Sequence, residues 1–155
     1  MALSKVTFGD VFKVQINQGF GVIQCVKDAI KTEIEVIRVI QGIYNSEADV
    51  SYIVSSSQTL FYASMPLKYA LKEKMVYYIG NYPIPRGFEA PKYFRCKHMI
   101  RSEFLGWHIV DRDTLQRKLV LDLSDEEKKL SPWGTISIPD LVERLENDWT
   151  PEGWK

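Results

Sequence analysis

Alternation first becomes clear at GDVFKVQI, residues 9 to 16. Phe12, Val14 and Ile16 fall on one side, Lys13 and Gln15 on the other, the period-two pattern of a half-buried strand. NQGFG follows, where Gly19 or Gly21 can take the positive φ of a hairpin turn. FGVIQCV, 20 to 26, predicts the returning strand. TEIEVIRVIQGIY, 32 to 44, is rich in β-branched residues and predicts a third. Its Glu35 and Arg38 fall on opposite faces, which points to a bulge or an edge position. NSEADVSYIVSSS, 45 to 57, predicts a loop with one helical turn, and TLFYAS, 59 to 64, a strand. PLKYALKEK, 66 to 74, starts with proline and continues with helix formers, predicting a short helix. MVYYIG (75 to 80), KYFRC (92 to 96), GWHIVDR (106 to 112) and RKLVLDL (117 to 123) predict the remaining strands.

The period changes after Asp122. Ser124 and Glu127 have capping-box spacing, so SDEEKKL predicts a short helix with acids in its first turn and lysines in its last. In PDLVERLENDW, Leu141, Val142, Leu145 and Trp149 share one helical face, and Glu143, Glu146 and Asp148 point elsewhere. There is no internal repeat and no long linker. The expectation is an α+β fold: one domain over residues 1 to 155, β-rich, with an antiparallel, strongly twisted or barrel-like sheet and short C-terminal helices.

Composition changes this picture little. The 155 residues are 45% apolar and 26% charged, and formal net charge is zero. Neutrality argues against attraction of the whole molecule to nucleic acid or membrane. Two distant cysteines, Cys25 and Cys96, form no disulfide framework and fit a reducing compartment. MALSKVTFGDVF lacks the apolar core of a secretion signal, and no apolar run reaches the ~18 residues of a membrane span. A cytoplasmic protein is expected. The neutrality hides an asymmetry. From Asp122 onward nine acids face four bases, a net −5, and residues 1 to 121 carry the balancing +5. The two segments can attract each other or show separate charged faces.

Three chemistries deserve weighing. Cys96, His98, His108 and Asp111 contain a thiol, imidazole bases and a carboxylate, enough in kind for a metal-independent hydrolase. The stretch lacks a glycine-flanked nucleophile elbow, and no zinc template, P-loop or dinucleotide fingerprint occurs. No cofactor or metal is expected. Residues 86 to 101 hold Arg86, Lys92, Arg95, Lys97 and Arg101 against Glu89 alone, with Phe88, Tyr93 and Phe94 as stacking platforms. That is a minor case for single-strand nucleic-acid binding. Binding of a protein partner has two supports. Asp122, Asp125, Glu126, Glu127, Glu143 and Glu146 make an acidic surface near Trp133, Trp149 and Trp154, suited to steering a basic partner. The segment IGNYPIPRGFEAPKYFR, 79 to 95, is stiffened by Pro83, Pro85 and Pro91 and offers Tyr82, Arg86 and Phe88 for recognition.

Two stretches together resemble the immunity protein 26 family of bacterial polymorphic toxin systems. They are Gly9, Asp10, Val11 and Phe12 with the hairpin Gly21, and Gly80, Asn81 and Pro83 followed by Pro91 and Tyr93. The likeness can span residues 6 to 150. The consecutive prolines associated with the family's middle motif are absent, Pro91 standing alone after Glu89 and Ala90. The resemblance implies a non-enzymatic protein that binds and neutralises a cognate toxin. A phosphotriesterase label on some relatives leaves hydrolysis as the alternative.

Overall fold

The computed structural model describes residues 5–28, 34–56 and 58–155. The start of the strand expected over 32 to 44, and residue 57 of the loop expected before the fourth strand, lie outside the described residues. β1 (Asp10–Ile16) and β2 (Gly19–Lys27) form the first hairpin, with Phe12 opposite Ile23 and Val14 opposite Gly21. Asn17 and Gln18 form the turn, and Gly19, directly after it, takes the expected positive φ at +147°. β3 (Val36–Ile40), β4 (Thr59–Ser64) and β5 (Tyr77–Asn81) complete an antiparallel sheet in the order β4-β3-β2-β1-β5. β3 is therefore an interior strand and not an edge, and register shifts lie beside it at Cys25/Lys27 and Val39/Ile40.

The sheet does not close into a barrel. β6 (Tyr93–Ile100), β7 (Glu103–Asp111) and β8 (Arg117–Val120) form a separate three-stranded antiparallel sheet in sequence order. The physical reason lies between β5 and β6. Pro83, Pro85 and Pro91 cannot donate to a ladder, so the chain leaves the first sheet at Asn81 and resumes pairing only at Tyr93.

Both faces of the first sheet are covered. Phe12, Ile23, Val39 and Phe61 form a continuous cross-strand row. That row shares a core with Leu67 and Ala70 of α2 (Leu67–Lys72) and with Leu141 and Leu145 of α3 (Ile138–Glu146). Val142 and Trp149 pack on the same core, so the predicted apolar face of α3 is the one that docks. Ser137 caps this helix by accepting the Asp140 N–H at 3.2 Å. Gly21 makes the close approach possible: a Cβ there would lie 2.6 Å from Leu145 Cδ1. On the opposite face, Val11, Val22 and Ile40 pack against Ile53 and Val54 of α1 (Val50–Ser56). Burial on two sides explains why β2 and β3 read as apolar runs rather than as clean alternation.

A polar row crosses the α1 face. Val11, Gln24, Arg38 and Tyr62 stand opposite one another in successive strands. Arg38 is fully buried, and its Nε donates to Gln24 Oε1 at 2.8 Å and its Nη2 to the Val54 carbonyl at 2.8 Å. Gln24 Nε2 in turn donates to the carbonyls of Gly9 and Tyr82. The two resembling stretches meet at the end of this row. Asp10 pairs with Asn81 across β1 and β5. Asp10 Oδ1 accepts from Asn81 Nδ2 at 3.0 Å, and Oδ2 accepts the Thr7 N–H at 2.9 Å. Gly9, at φ +95°, leaves room for Asn81: a Cβ would sit 3.0 Å from its Nδ2. Gly9, Asp10 and Asn81 therefore close the sheet edge.

Residues 131 to 136 stitch the two sheets. On the second sheet, Arg95 N–H donates to Ser131 O and Trp133 N–H to Arg95 O. On the first, Ser64 N–H donates to Gly134 O and Ile136 N–H to Ser64 O. Ser131 does both jobs, since its Oγ accepts the Tyr62 N–H at 2.8 Å. Among the described residues no helix is long and apolar enough to cross a membrane. Ser131→Ala removes the acceptor from a Tyr62 N–H that has little access to water. It is expected to lower unfolding stability by ~1–3 kcal/mol in urea titration, with the far-ultraviolet circular dichroism of the folded state unchanged.

Candidate functional site

The second sheet carries the groups with chemical potential, and strand alternation divides them between its two sides. Tyr93, Arg95 and Lys97 of β6 share one side with Asp111, Ile109 and Trp107, their partners in β7. Phe94 and Cys96 share the other with Val110 and His108. β8 adds Lys118 opposite Ile109 on the first side, and Arg117 and Leu119 opposite Val110 and His108 on the second.

On the first side a cleft of ≈ 500 Å³ separates the sheet from the acidic turn that follows it. Its apolar lining is Tyr93, Ile109 and Leu130, and its charged lining is Asp111, Glu126, Glu127 and Lys118, with Arg117 reaching it only at the β8 edge, since its guanidinium lies on the second side. The acidic wall is held by the predicted capping box: Ser124 N–H donates to Glu127 Oε1 at 2.9 Å, and Glu127 N–H to Ser124 Oγ at 3.1 Å. The box opens only a 3₁₀ turn, Glu127–Lys129. Glu126 pairs with Lys129 at 3.2 Å. Asp111 is spent on its own loop, accepting the N–H groups of Asp113 and Thr114 and lying 3.6 Å from Lys92 Nζ. Desolvation alone would raise its pKa. The Thr114 and Asp113 donors, with the Lys92 charge, outweigh this and hold it below the ordinary carboxylate value.

On the second side Cys96 and His98 do lie in one continuous strand. Arg117 Nη1 sits 3.6 Å from Cys96 Sγ and 3.5 Å from His108 Nδ1. The rings of His98 and His108 are 4.5 Å apart, tilted by 34°. Asp111 is on the opposite side, so the cysteine–histidine–carboxylate arrangement considered for hydrolysis is not assembled. A guanidinium, which only donates, occupies the place of the orienting acid. His108 must then accept at Nδ1 and carry its proton on Nε2. Among the described residues no group of three or more His, Cys, Asp or Glu can hold a metal ion.

The basic stretch 86 to 101 is dispersed. Arg95 is buried, with its guanidinium 4.3 Å from the Trp107 ring and 4.6 Å from the Trp154 ring. Lys92 is paired with Asp111, and Arg101 sits with Ser102 at the tip of the β6–β7 hairpin, both at positive φ. The acidic residues are divided too. Asp122, Asp125 and Glu126 are exposed, and with half-buried Glu127 they belong to the turn beside the second sheet. Glu143 and Glu146 are exposed on α3, over the first. Among the described residues no ion pair joins the acidic C-terminal segment to the basic remainder: the pairs are Lys27–Asp113, Lys92–Asp111 and Glu126–Lys129. Trp133, Trp149 and Trp154 are half-buried and engaged with Phe94, Phe61 and Trp107 respectively. In the proline segment Arg86 is exposed, Phe88 packs 6.1 Å from the Tyr62 ring, and Tyr82 is half-buried with its carbonyl bonded to Gln24.

Sequence reasoning overlooked an apolar surface. Met99, Ile100 and Phe104 near the hairpin tip, and Leu119 and Leu121 at the β8 edge, are 46–72% exposed. The alternation in RKLVLDL does place Arg117, Leu119 and Leu121 on one side, but only the assembled sheet shows that side uncovered. Comparison with protein-family models finds no match, and neither the curated proteins nor the solved structures yield one.

His108 is held below the ordinary imidazole value by desolvation, then by His98 and Arg117. Between that depressed value and about 6.5 the unfolded chain binds more protons than the folded one. This group's contribution to stability is therefore present above the unfolded value and is lost as pH falls through the window. Nuclear magnetic resonance titration should place His108 below 6.5, and Arg117→Gln should raise it. A His108 midpoint at or above that of a free histidine peptide would contradict the arrangement.

Proposed function

We propose that this chain is a protein-binding domain that neutralises a toxin, and that the second sheet with its acidic turn is the docking face. The observation that carries the reading is the coincidence of uncovered apolar side chains with a charged cleft. Met99 and Phe104, paired across β6 and β7, are exposed on the side of the second sheet that carries the cleft, and Ile100, Leu119 and Leu121 are exposed on the other side. Glu126 and Glu127 border the cleft on that same sheet. Exposed apolar patches rimmed by charge are characteristic of partner surfaces. The five-stranded sheet is covered on both faces by α1, α2 and α3, and its own exposed large side chains, Tyr77 and Tyr78 of β5 with Phe8, Tyr69 and Met75, border no charged cleft of this kind among the described residues. The resemblance of the Gly9–Phe12 and Gly80–Pro83 stretches supplies the toxin, and the carboxylates suit a partner with a basic face. Tyr82, Arg86 and Phe88 belong to a separate, proline-stiffened segment and are a second contact region in this reading.

The test is capture of a stoichiometric partner by the tagged chain in its own cells, followed by expression of that partner alone and together with the chain. Arrest of growth by the partner alone, relieved by co-expression, is the expected result. Replacing Asp125, Glu126 and Glu127 with Lys should slow association ~10-fold at low salt and less at high salt. Leu119→Asp with Leu121→Asp should act mainly through dissociation. Unchanged association and dissociation in both variants would move the docking face elsewhere, and a harmless partner would remove the neutralising role.

A further inference from the structure

Cys96 lies half-buried on the side of the second sheet away from the cleft, and three strands deliver functional groups to it. His108 in β7 is its direct cross-strand partner. Arg117 in β8 brings Nη1 to 3.6 Å from the sulfur. His98, two residues along β6, holds its ring 4.5 Å from that of His108. The guanidinium charge is permanent and stands beside the sulfur, where it meets any molecule that approaches the thiol. His108 Nδ1 is occupied by the same guanidinium, so the imidazole does not replace Arg117 as the thiolate's counter-charge. On this side of the three strands the carboxylate is Glu103, opposite Ile100 at the far end of the hairpin, four residues along β6 from Cys96. The immediate surroundings of the thiol are thus donors and a cation. Cys25, by contrast, is inaccessible: it is fully buried, and burial pushes its thiol up to about 12.

We propose that Cys96 is a thiol–disulfide exchange site selective for anionic low-molecular-weight disulfides, carboxylate-bearing molecules of the glutathione type, with Arg117 as the selecting residue. The thiol releases its proton to water. The thiolate attacks one sulfur of the disulfide, the Sγ–S bond forms as the S–S bond breaks, and the departing thiolate carries away the electron pair. Cys96 becomes a mixed disulfide and half of the reagent is reduced, so the disulfide itself is the oxidant. Arg117 and the imidazole N–H groups donate to the carboxylates of the incoming molecule. The product places an anionic group beside Leu119 and Ile100, on a surface left uncovered by the fold. This inference does not depend on toxin neutralisation.

The full chain would be treated at low ionic strength with oxidised glutathione, an anionic disulfide, and with cystamine, a cationic one, and followed by intact-mass and peptide mass spectrometry. The expected result is one adduct at Cys96 with Cys25 unmodified in the folded protein. The anionic-to-cationic rate ratio should exceed that of a free cysteine peptide ~10-fold. Arg117→Gln should return the ratio to the peptide value, and Arg117→Lys should retain part of it. Lys118→Gln makes the same charge change on the opposite side of the strand and should leave the ratio in place. A wild-type ratio equal to the peptide's, or equal losses in Arg117→Gln and Lys118→Gln, would overturn the proposal. Circular dichroism of each variant separates loss of selectivity from loss of fold.

Discussion

The second sheet and the C-terminal segment depend on one buried guanidinium. Arg95 is fully inaccessible, and among the described residues it makes no ion pair with a carboxylate. Removing such a charge from water costs several kcal/mol. Carbonyl oxygens and ring faces offset that cost. Arg95 Nε donates to Leu130 O, and Nη2 donates to the carbonyls of Lys128, Pro151 and Trp154. The rings of Trp107 and Trp154, packed edge to face on each other, lie 4.3 and 4.6 Å from the guanidinium. Nη1 is left without a hydrogen-bond partner. A planar, weakly hydrated guanidinium tolerates this arrangement where a lysine ammonium would not. The result is that Pro151 and Trp154 pack onto the second sheet.

The same residue links that sheet to the first through its main chain. Its N–H and carbonyl are taken by Ser131 and Trp133, and Ser131 also reaches Tyr62 in β4. Arg38 provides a parallel solution in the first sheet, bonded to Gln24, Thr59 and the Val54 carbonyl. In both sheets a cation is placed where an ordinary core would have an aliphatic side chain, and the acceptors are neutral. Fixed acceptors make the geometry specific: each guanidinium has one orientation that serves all its partners.

This division assigns different work to the two sheets. The five-stranded sheet, covered by α1 on one face and by α2 and α3 on the other, is scaffold. The three-stranded sheet is covered partly, by the C-terminal segment and the strap, and keeps apolar and titratable groups accessible. Its short β8 is an edge strand, and Arg117 and Lys118 are the charges by which such an edge resists unwanted pairing. Those same charges stand next to the cleft and the thiol.

The sequence by itself determined the strands, the Ser124 cap and the α+β class. β1 alternates from Phe12 to Ile16, Ser124 serves the N–H group it was spaced to serve, and the Leu141–Leu145 stripe docks as its period requires. These are local properties, set by backbone periods of two and 3.6 and by hydrogen bonds spanning three residues. Tertiary structure alone decided that the strands form two open sheets, that Arg95 is buried rather than part of a basic surface, and that Asp111 is separated from His108 by the thickness of a strand. Each depends on register, and shifting a strand by one residue exchanges its two faces. The meeting of Asp10 with Asn81 joins residues 71 apart, and the approach of Arg117 to Cys96 joins residues 21 apart. No local period encodes such distances; they follow from which strands pair, and pairing is settled only when the whole core is buried.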